Sequence, residues 1–232
     1  MTFMRLSIFL SLAVGLIATT AHGQTTRSAP DSATSLPTTA AAQDTDYRQV
    51  TEEKTWAFSL SADTYIVENG RDYVQPTLAI DHDWLHLEAR YNDEDLDTAS
   101  VWVGYNWSVG DELTLDFTAM VGGVLGRTNG VAPGYELTLA WRGFEFYSQM
   151  EYVFDTDDSS SSFLYTWSDL TYALTDWLRA GVVVQRTKAY KSDFDIQRGF
   201  IVGITYQRAD FTAQVLNPDD DPIFVLGVGF DF

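Results

Sequence analysis

Large apolar and polar residues take turns along most of this chain. Between Thr55 and Phe232 the repeat is two residues, not 3.6, as in Val101-Trp102-Val103-Gly104-Tyr105-Asn106-Trp107 and Tyr135-Glu136-Leu137-Thr138-Leu139. That period gives each face of an extended strand its own class of residue. Runs bounded by turn residues predict twelve strands, near residues 55–66, 73–81, 84–92, 99–108, 112–124, 135–142, 144–155, 163–174, 178–189, 199–207, 211–217 and 223–232. The connections alternate in kind. "DHD", "VGD", "RG", "TD" and "RAD" are tight, whereas "ENGRD", "NDEDLDT", "GRTNGVAP", "DTDDSSSS", "KSDFD" and "NPDDDP" are longer and mostly acidic.

A weak repeat of "HDWLHLEA", "GDELTLDF", "RGFEFYSQ", "TDWLRAGV" and "RADFTAQV" restarts a strand about every thirty residues. The repeating unit is therefore a hairpin. An even number of antiparallel strands, with short turns on one side and longer loops on the other, is the pattern of an outer-membrane barrel. Closure removes the unpaired edges that an open sheet would present to lipid. The expected fold is all-β, a twelve-stranded antiparallel transmembrane β-barrel with short periplasmic turns and longer acidic extracellular loops.

The two faces differ in a direction opposite to a soluble barrel. One face carries Phe58, Leu60, Val101, Val103, Leu137, Leu139, Val182, Val202 and Ile204, with Trp56, Trp107, Trp141, Tyr206 and Phe232 at strand ends. Rings at those positions suit the lipid headgroup region. The other face carries Asp63, Asp81, His86, Glu88, Arg90, Asp116, Glu136, Arg142, Glu145, Glu151, Asp169 and Arg179. So many charges are too costly to bury dry, so they are assigned to a water-filled lumen as pore-lining candidates. Twelve strands about 4.8 Å apart and tilted by about 40° close into a backbone cylinder about 24 Å across, leaving about 10 Å between facing side chains. Acids outnumber arginines among these residues, which favours cations over anions.

Composition changes the picture at the N-terminus and in the choice of partners. Residues 1–23 hold Arg5, an apolar run from Leu6 to Ile17 and the small-residue close Ala21-His22-Gly23, which predicts a cleaved secretory signal peptide. Residues 24–53, rich in Ser, Thr, Ala and Pro, predict a disordered periplasmic linker, leaving 54–232 for the barrel. The chain has no cysteine, so no disulfide framework supports an exported fold. A net charge of −19 argues against nucleic acid as a partner.

Candidate chemistry is sparse. His86 and Glu88 share a face, and Ser100 on the next strand also points inward; a hydroxyl, an imidazole and a carboxylate could form a hydrolytic triad. A polar lumen containing one histidine is the reading preferred for them. The runs "NDEDLD" (92–97), "DTDD" (155–158) and "NPDDD" (217–221) offer carboxylates to Ca²⁺ but lack the spacing of a calcium loop, and read as solvated surface charge. Trp102, Tyr147, Tyr165 and Trp167 point inward, where they could stack a sugar or fill space. No catalytic residue, cofactor or metal site is expected.

The alternation and the terminal set Phe224, Leu226, Val228, Phe230 and Phe232 carry a family resemblance. The region from Thr55 resembles bacterial outer-membrane β-barrels, and in strand count and size is similar to the small monomeric porins for oligogalacturonate and sialic acid. Those porins have arginine-rich lumens, so their acidic substrates are not transferred to this acidic one. Outer-membrane phospholipases and lipid A deacylases are also twelve-stranded, but no local motif of either is found. The resemblance implies a monomer in the bacterial outer membrane, in contact with lipid and lipopolysaccharide. It also implies that the C-terminal pattern is read by the barrel-assembly machinery. The expected function is a porin-like channel for passive diffusion of small neutral or cationic solutes, not an enzyme. The alternative is a structural or adhesin-type barrel with little flux; a membrane-embedded lipid hydrolase is more remote.

Overall fold

A computed structural model describes residues 55–68, 70–189 and 195–232. The expected signal peptide (1–23) and linker (24–53) lie outside the described residues. Twelve strands follow one another: β1 (Ala57–Val67), β2 (Tyr73–His82), β3 (Leu85–Tyr91), β4 (Thr98–Val109), β5 (Leu113–Gly126), β6 (Gly130–Trp141), β7 (Phe144–Asp155), β8 (Phe163–Thr175), β9 (Leu178–Ala189), β10 (Asp195–Tyr206), β11 (Ala209–Leu216) and β12 (Ile223–Asp231). Each pairs antiparallel with its neighbours in sequence, and β1 pairs with β12, so the sheet closes into a barrel. The seam runs from Ser59↔Asp231 to Val67↔Ile223. Beyond it the Phe58 and Phe232 main chains exchange hydrogen bonds of 3.0 and 2.9 Å. Every strand therefore has a partner on both edges, the condition that a lipid environment imposes.

One end of the barrel is tight. There the joints are Asp83-Trp84, residues 110–112, Arg142-Gly143, Asp176-Trp177 and Gln207-Arg208. Arg142 and Gly143 both have positive φ (48° and 83°), the backbone that matches a two-residue hairpin to the twist of its strands. We call this the turn end and the opposite one the loop end.

One expected loop, 126–134, is mostly strand. β6 begins at Gly130, because Pro133 is accommodated by a gap in the ladder. Pairing with β7 passes from Val131↔Phe154 directly to Gly134↔Glu151, leaving out the position where the missing N–H would matter. Similarly, β10 begins at Asp195, not near 199.

The exterior is apolar. Leu60, Val101, Val103, Val182, Phe200, Val202 and Leu226 are exposed along it, and Trp56, Trp84, Trp107, Trp141, Trp177 and Tyr206 collect at the turn end. Trp84 stacks on Tyr105 there with ring centroids 5.7 Å apart. So large a continuous apolar band on a water-soluble protein would be an aggregation site; here its aromatic edge suits a bilayer.

The interior divides into two halves, and this corrects the picture of a uniformly wet lumen. Toward the turn end, inward groups such as Ser59, Asp116 and Thr138 retain access to water. Toward the loop end the side chains meet. Tyr65, Tyr73, Trp102, Val124, Tyr147, Val153, Phe163, Tyr165, Trp167 and Val225 form one buried cluster drawn from strands all around the ring, with Leu96 of the β3–β4 loop packed against it. Trp102 and Tyr165 are 3% and 0% exposed, whereas the outward Trp107 is 55% exposed. Gly122 makes room for the Trp102 ring, since a Cβ there would collide with it. The ~10 Å gap inferred from backbone dimensions is thus filled in this half.

Candidate functional site in the barrel lumen

Polar residues within the packed half gather around Arg90, which β3 points inward beside Glu88 and His86. Its Nε donates to Glu88, Nη1 donates to Asp93 (3.1 Å) and Glu151 (3.2 Å), and Nη2 lies 3.6 Å from Glu136. The guanidinium also sits over the Trp102 ring, 4.7 Å from its centroid. With its amide turned to satisfy both neighbours, Gln149 accepts from Arg90 Nη1 (2.9 Å) and donates to the Tyr147 hydroxyl (3.0 Å). One guanidinium therefore serves four carboxylates, and five donors cannot satisfy them all.

The β3–β4 loop supplies Asp93 and a further acid beside it, Glu94. Asn92 and Asp97 have positive φ (59° and 58°), and the Asp97 N–H donates to Asn92 Oδ1 (2.8 Å). This tight closure turns Asp93 and Glu94 into the lumen, where they are 1% and 0% exposed. Glu94 accepts from the Trp102 indole (3.2 Å). Burial pushes both carboxyls above the ordinary carboxylate range, against the opposing pull of Arg90. Ligand atoms of Asp93, Glu94 and Glu151 lie within 4.8 Å of one another. Two ionised carboxylates no farther apart than that would repel by about 3 kcal/mol or more at an effective dielectric of about 20. The reading of 92–97 as solvated surface charge is thus corrected for Asp93 and Glu94.

The other acidic runs stay local. Asp155 Oδ1 accepts from the N–H groups of Asp157 and Asp158 (2.8 Å each), and Asp158 Oδ1 from that of Ser160 (2.9 Å), so these acids shape a turn. Asp219 takes Arg198 as its partner at 3.1 Å, on the surface.

A second, simpler centre lies in the wet half. Arg179 of β9 grips Asp210 of β11 with two hydrogen bonds, Nη1–Oδ1 2.7 Å and Nη2–Oδ2 2.6 Å, and Thr205 donates to the same carboxylate (2.8 Å). Gly203 on the intervening β10 leaves space for the guanidinium. Glu145 and Asp169 also face inward near this end, and Trp167 donates to Asp169 (3.0 Å).

Most of the expected wall residues are where alternation puts them. Asp63, Glu88, Arg90, Glu151 and Asp169 are inward and buried, Asp81, Glu136, Glu145 and Arg179 are partly so, and Asp116 is open to water. Arg142 is the exception. It occupies the β6–β7 turn with its side chain 68% exposed, 3.6 Å from Glu112 and over the Trp141 ring. Alternation carried through a two-residue turn had assigned it inward. Asp210 was missed because "RAD" looks like turn, and Asp93 and Glu94 because a loop has no face to read.

The hydrolytic arrangement does not form. Both ring nitrogens of His86 are held by carboxylates, Nδ1 by Asp81 (2.8 Å) and Nε2 by Glu88 (3.0 Å). Ser100 Oγ instead accepts from the Trp102 indole (3.0 Å). Without a nitrogen free to take its proton, that hydroxyl is not a nucleophile.

No family model and no curated protein matches the chain. Among solved structures it is similar to "KdgM porin", at 11% identity and TM-score 0.55, over 75% of this chain and 99% of that one. It is likewise similar to "KdgM porin in complex with disordered oligogalacturonate", at 11% identity and TM-score 0.56 over the same shares. The fold is the twelve-stranded porin barrel. Within this barrel the turn-end half of the lumen is open to water and the Arg90 cluster lies in the packed loop-end half.

Proposed function

We propose that the protein is an outer-membrane channel for small neutral or cationic solutes, exported by its N-terminal signal and narrowed by the Arg90 cluster. The observation that carries this reading is the inverted barrel, apolar outside and charged inside, in a fold similar to porins. The lumen is more acidic than the wall residues alone suggested, since Asp93, Glu94 and Asp210 join it and Arg142 leaves it. Anions are therefore disfavoured in the constriction. Because aromatic side chains meet there, passage requires the β3–β4 loop or the Arg90 cluster to move, and the resting conductance is small. Planar-bilayer recording of the purified barrel tests this. Small, cation-selective currents are expected; anion-selective reversal potentials in a salt gradient would overturn the solute class.

The packed half favours one second reading, a structural barrel with little flux. If neither the natural chain nor a variant lacking residues 93–96 conducts, that reading replaces the first. The C-terminal residues Phe224, Leu226, Val228, Phe230 and Phe232 belong to the assembly side of the proposal. They lie on β12 and just beyond it, next to the seam, where the assembly machinery would engage the chain.

A further inference from the structure

We infer that Asp93, Glu94 and Glu151 form a Ca²⁺ site inside the barrel, which ties the β3–β4 loop to the β7 wall.

Three buried acids alone would not make a site, but their oxygens are divided in a particular way. One oxygen of each is used: Asp93 Oδ2 and Glu151 Oε2 accept from Arg90 (3.1 and 3.2 Å), and Glu94 Oε1 from Trp102 (3.2 Å). The second oxygen of each, Asp93 Oδ1, Glu94 Oε2 and Glu151 Oε1, is buried with no hydrogen-bond partner among the described residues. The three side chains are 0–1% exposed, so water does not reach those oxygens freely. A buried carboxylate oxygen without a donor is a costly arrangement, and three together are costlier. Arg90 does not relieve it, because its donors already go to the other oxygens and to Glu88 and Glu136.

A hard divalent cation fits the gap. All the donors are oxygens, which selects against the softer metals. Two ligands of one ion can lie no farther apart than twice the bond length, about 4.6–5.2 Å for Ca²⁺ and about 4.0–4.2 Å for Mg²⁺. Each of the three carboxylates offers an oxygen within 4.8 Å of those offered by the other two, inside the Ca²⁺ limit. Ca²⁺ also tolerates an irregular shell completed by water, whereas Mg²⁺ demands a near-ideal octahedron. Two ligands come from the loop and the third from a strand several places around the ring, so the ion would act as a cross-link over the lumen. The acidic run 92–97 lacks a calcium-loop spacing because its third carboxylate lies on another strand.

The site stands whether or not the barrel conducts, and its test uses no current. Ca²⁺ alone is titrated calorimetrically into the purified, chelator-stripped full chain, with Mg²⁺ as comparator. The expected result is one Ca²⁺ per chain, bound more tightly than Mg²⁺, with affinity lowered about tenfold or more in Asp93→Asn and in Glu151→Gln. Asp157→Asn, in the exterior loop, leaves binding unchanged. Heat-modifiable mobility on a gel confirms that each variant is folded, and Glu94→Gln replaces any that is not. Tb³⁺ gives a second readout: excitation of Trp102 sensitises its emission, Ca²⁺ competes it away, and Trp102→Phe abolishes the signal. The proposal is overturned if the natural chain takes up no Ca²⁺, or if folded Asp93→Asn and Glu151→Gln bind it as the natural chain does.

Discussion

Arg90 and Arg179 point into the same lumen from its two halves and meet opposite circumstances. Arg179 has one carboxylate, Asp210, in a two-point grip within a region that water reaches. Arg90 has Glu88, Asp93, Glu136 and Glu151 around it in a region that is largely buried. A matched pair in the wet half of the lumen fixes local geometry at modest net energy. Removing a single cation surrounded by several buried anions leaves all of them uncompensated. The difference is one of dependence, since an arrangement held by one overcommitted group is one that a local change can release.

The largest expected effect comes from removing the overcommitted cation. Arg90→Met should lower the unfolding free energy by about 3–5 kcal/mol, because it leaves buried carboxylates unpaired. Arg179→Met should lower it by less, about 1.5–3 kcal/mol, the value of a hydrogen bond to a charged group. Urea titration of the barrel in lipid vesicles measures both, and equal losses would end the distinction. Next in size is a change of flux. A variant in which glycine-serine replaces residues 93–96 should give a larger single-channel conductance than the natural chain, whereas Asp210→Asn should leave conductance near its original value and alter only selectivity.

Double-mutant cycles sharpen the contrast further. Arg179 and Asp210 should couple as an isolated pair, with most of the loss from either change absent once the other is made. Arg90 with Glu151 should recover only a part, because the remaining acids still claim the guanidinium. The smallest effect belongs to Arg198 and Asp219, whose side chains are 72% and 64% exposed. Asp219→Asn should leave the urea midpoint unchanged, setting the floor for an ion pair held in water.

The strands were legible because each depends on a local repeat, and a lipid-facing wall demands that repeat without interruption. Their ends were less so. Gly130 and Pro133 look like turn residues, and only the ladder gap opposite Tyr152 and Val153 explains how a strand contains them. Which residues line the wall was also legible, since Glu88, Arg90, Glu136 and Glu151 follow from parity alone. Their meeting was not. Arg90 and Glu151 are brought together by ring closure, and nothing in either segment encodes the distance across a lumen. The direction of the 92–97 loop depends on the backbone at Asn92 and Asp97 and on the cavity that awaits Asp93 and Glu94, so composition alone sent it outward into solvent.

The seam between β1 and β12 has a consequence for kinetics. Among the described strands it is the one pairing between segments remote in the chain; every other ladder joins consecutive strands. Ten or more hairpins can zip one after another at little loop-closure cost, but the ring shuts only when Ser59 finds Asp231 and Val67 finds Ile223. Once shut, it has no free end from which to fray, so opening requires a whole ladder to part at once. The molecule should therefore fold late and unfold slowly, with a lifetime set by a barrier more than by its equilibrium stability.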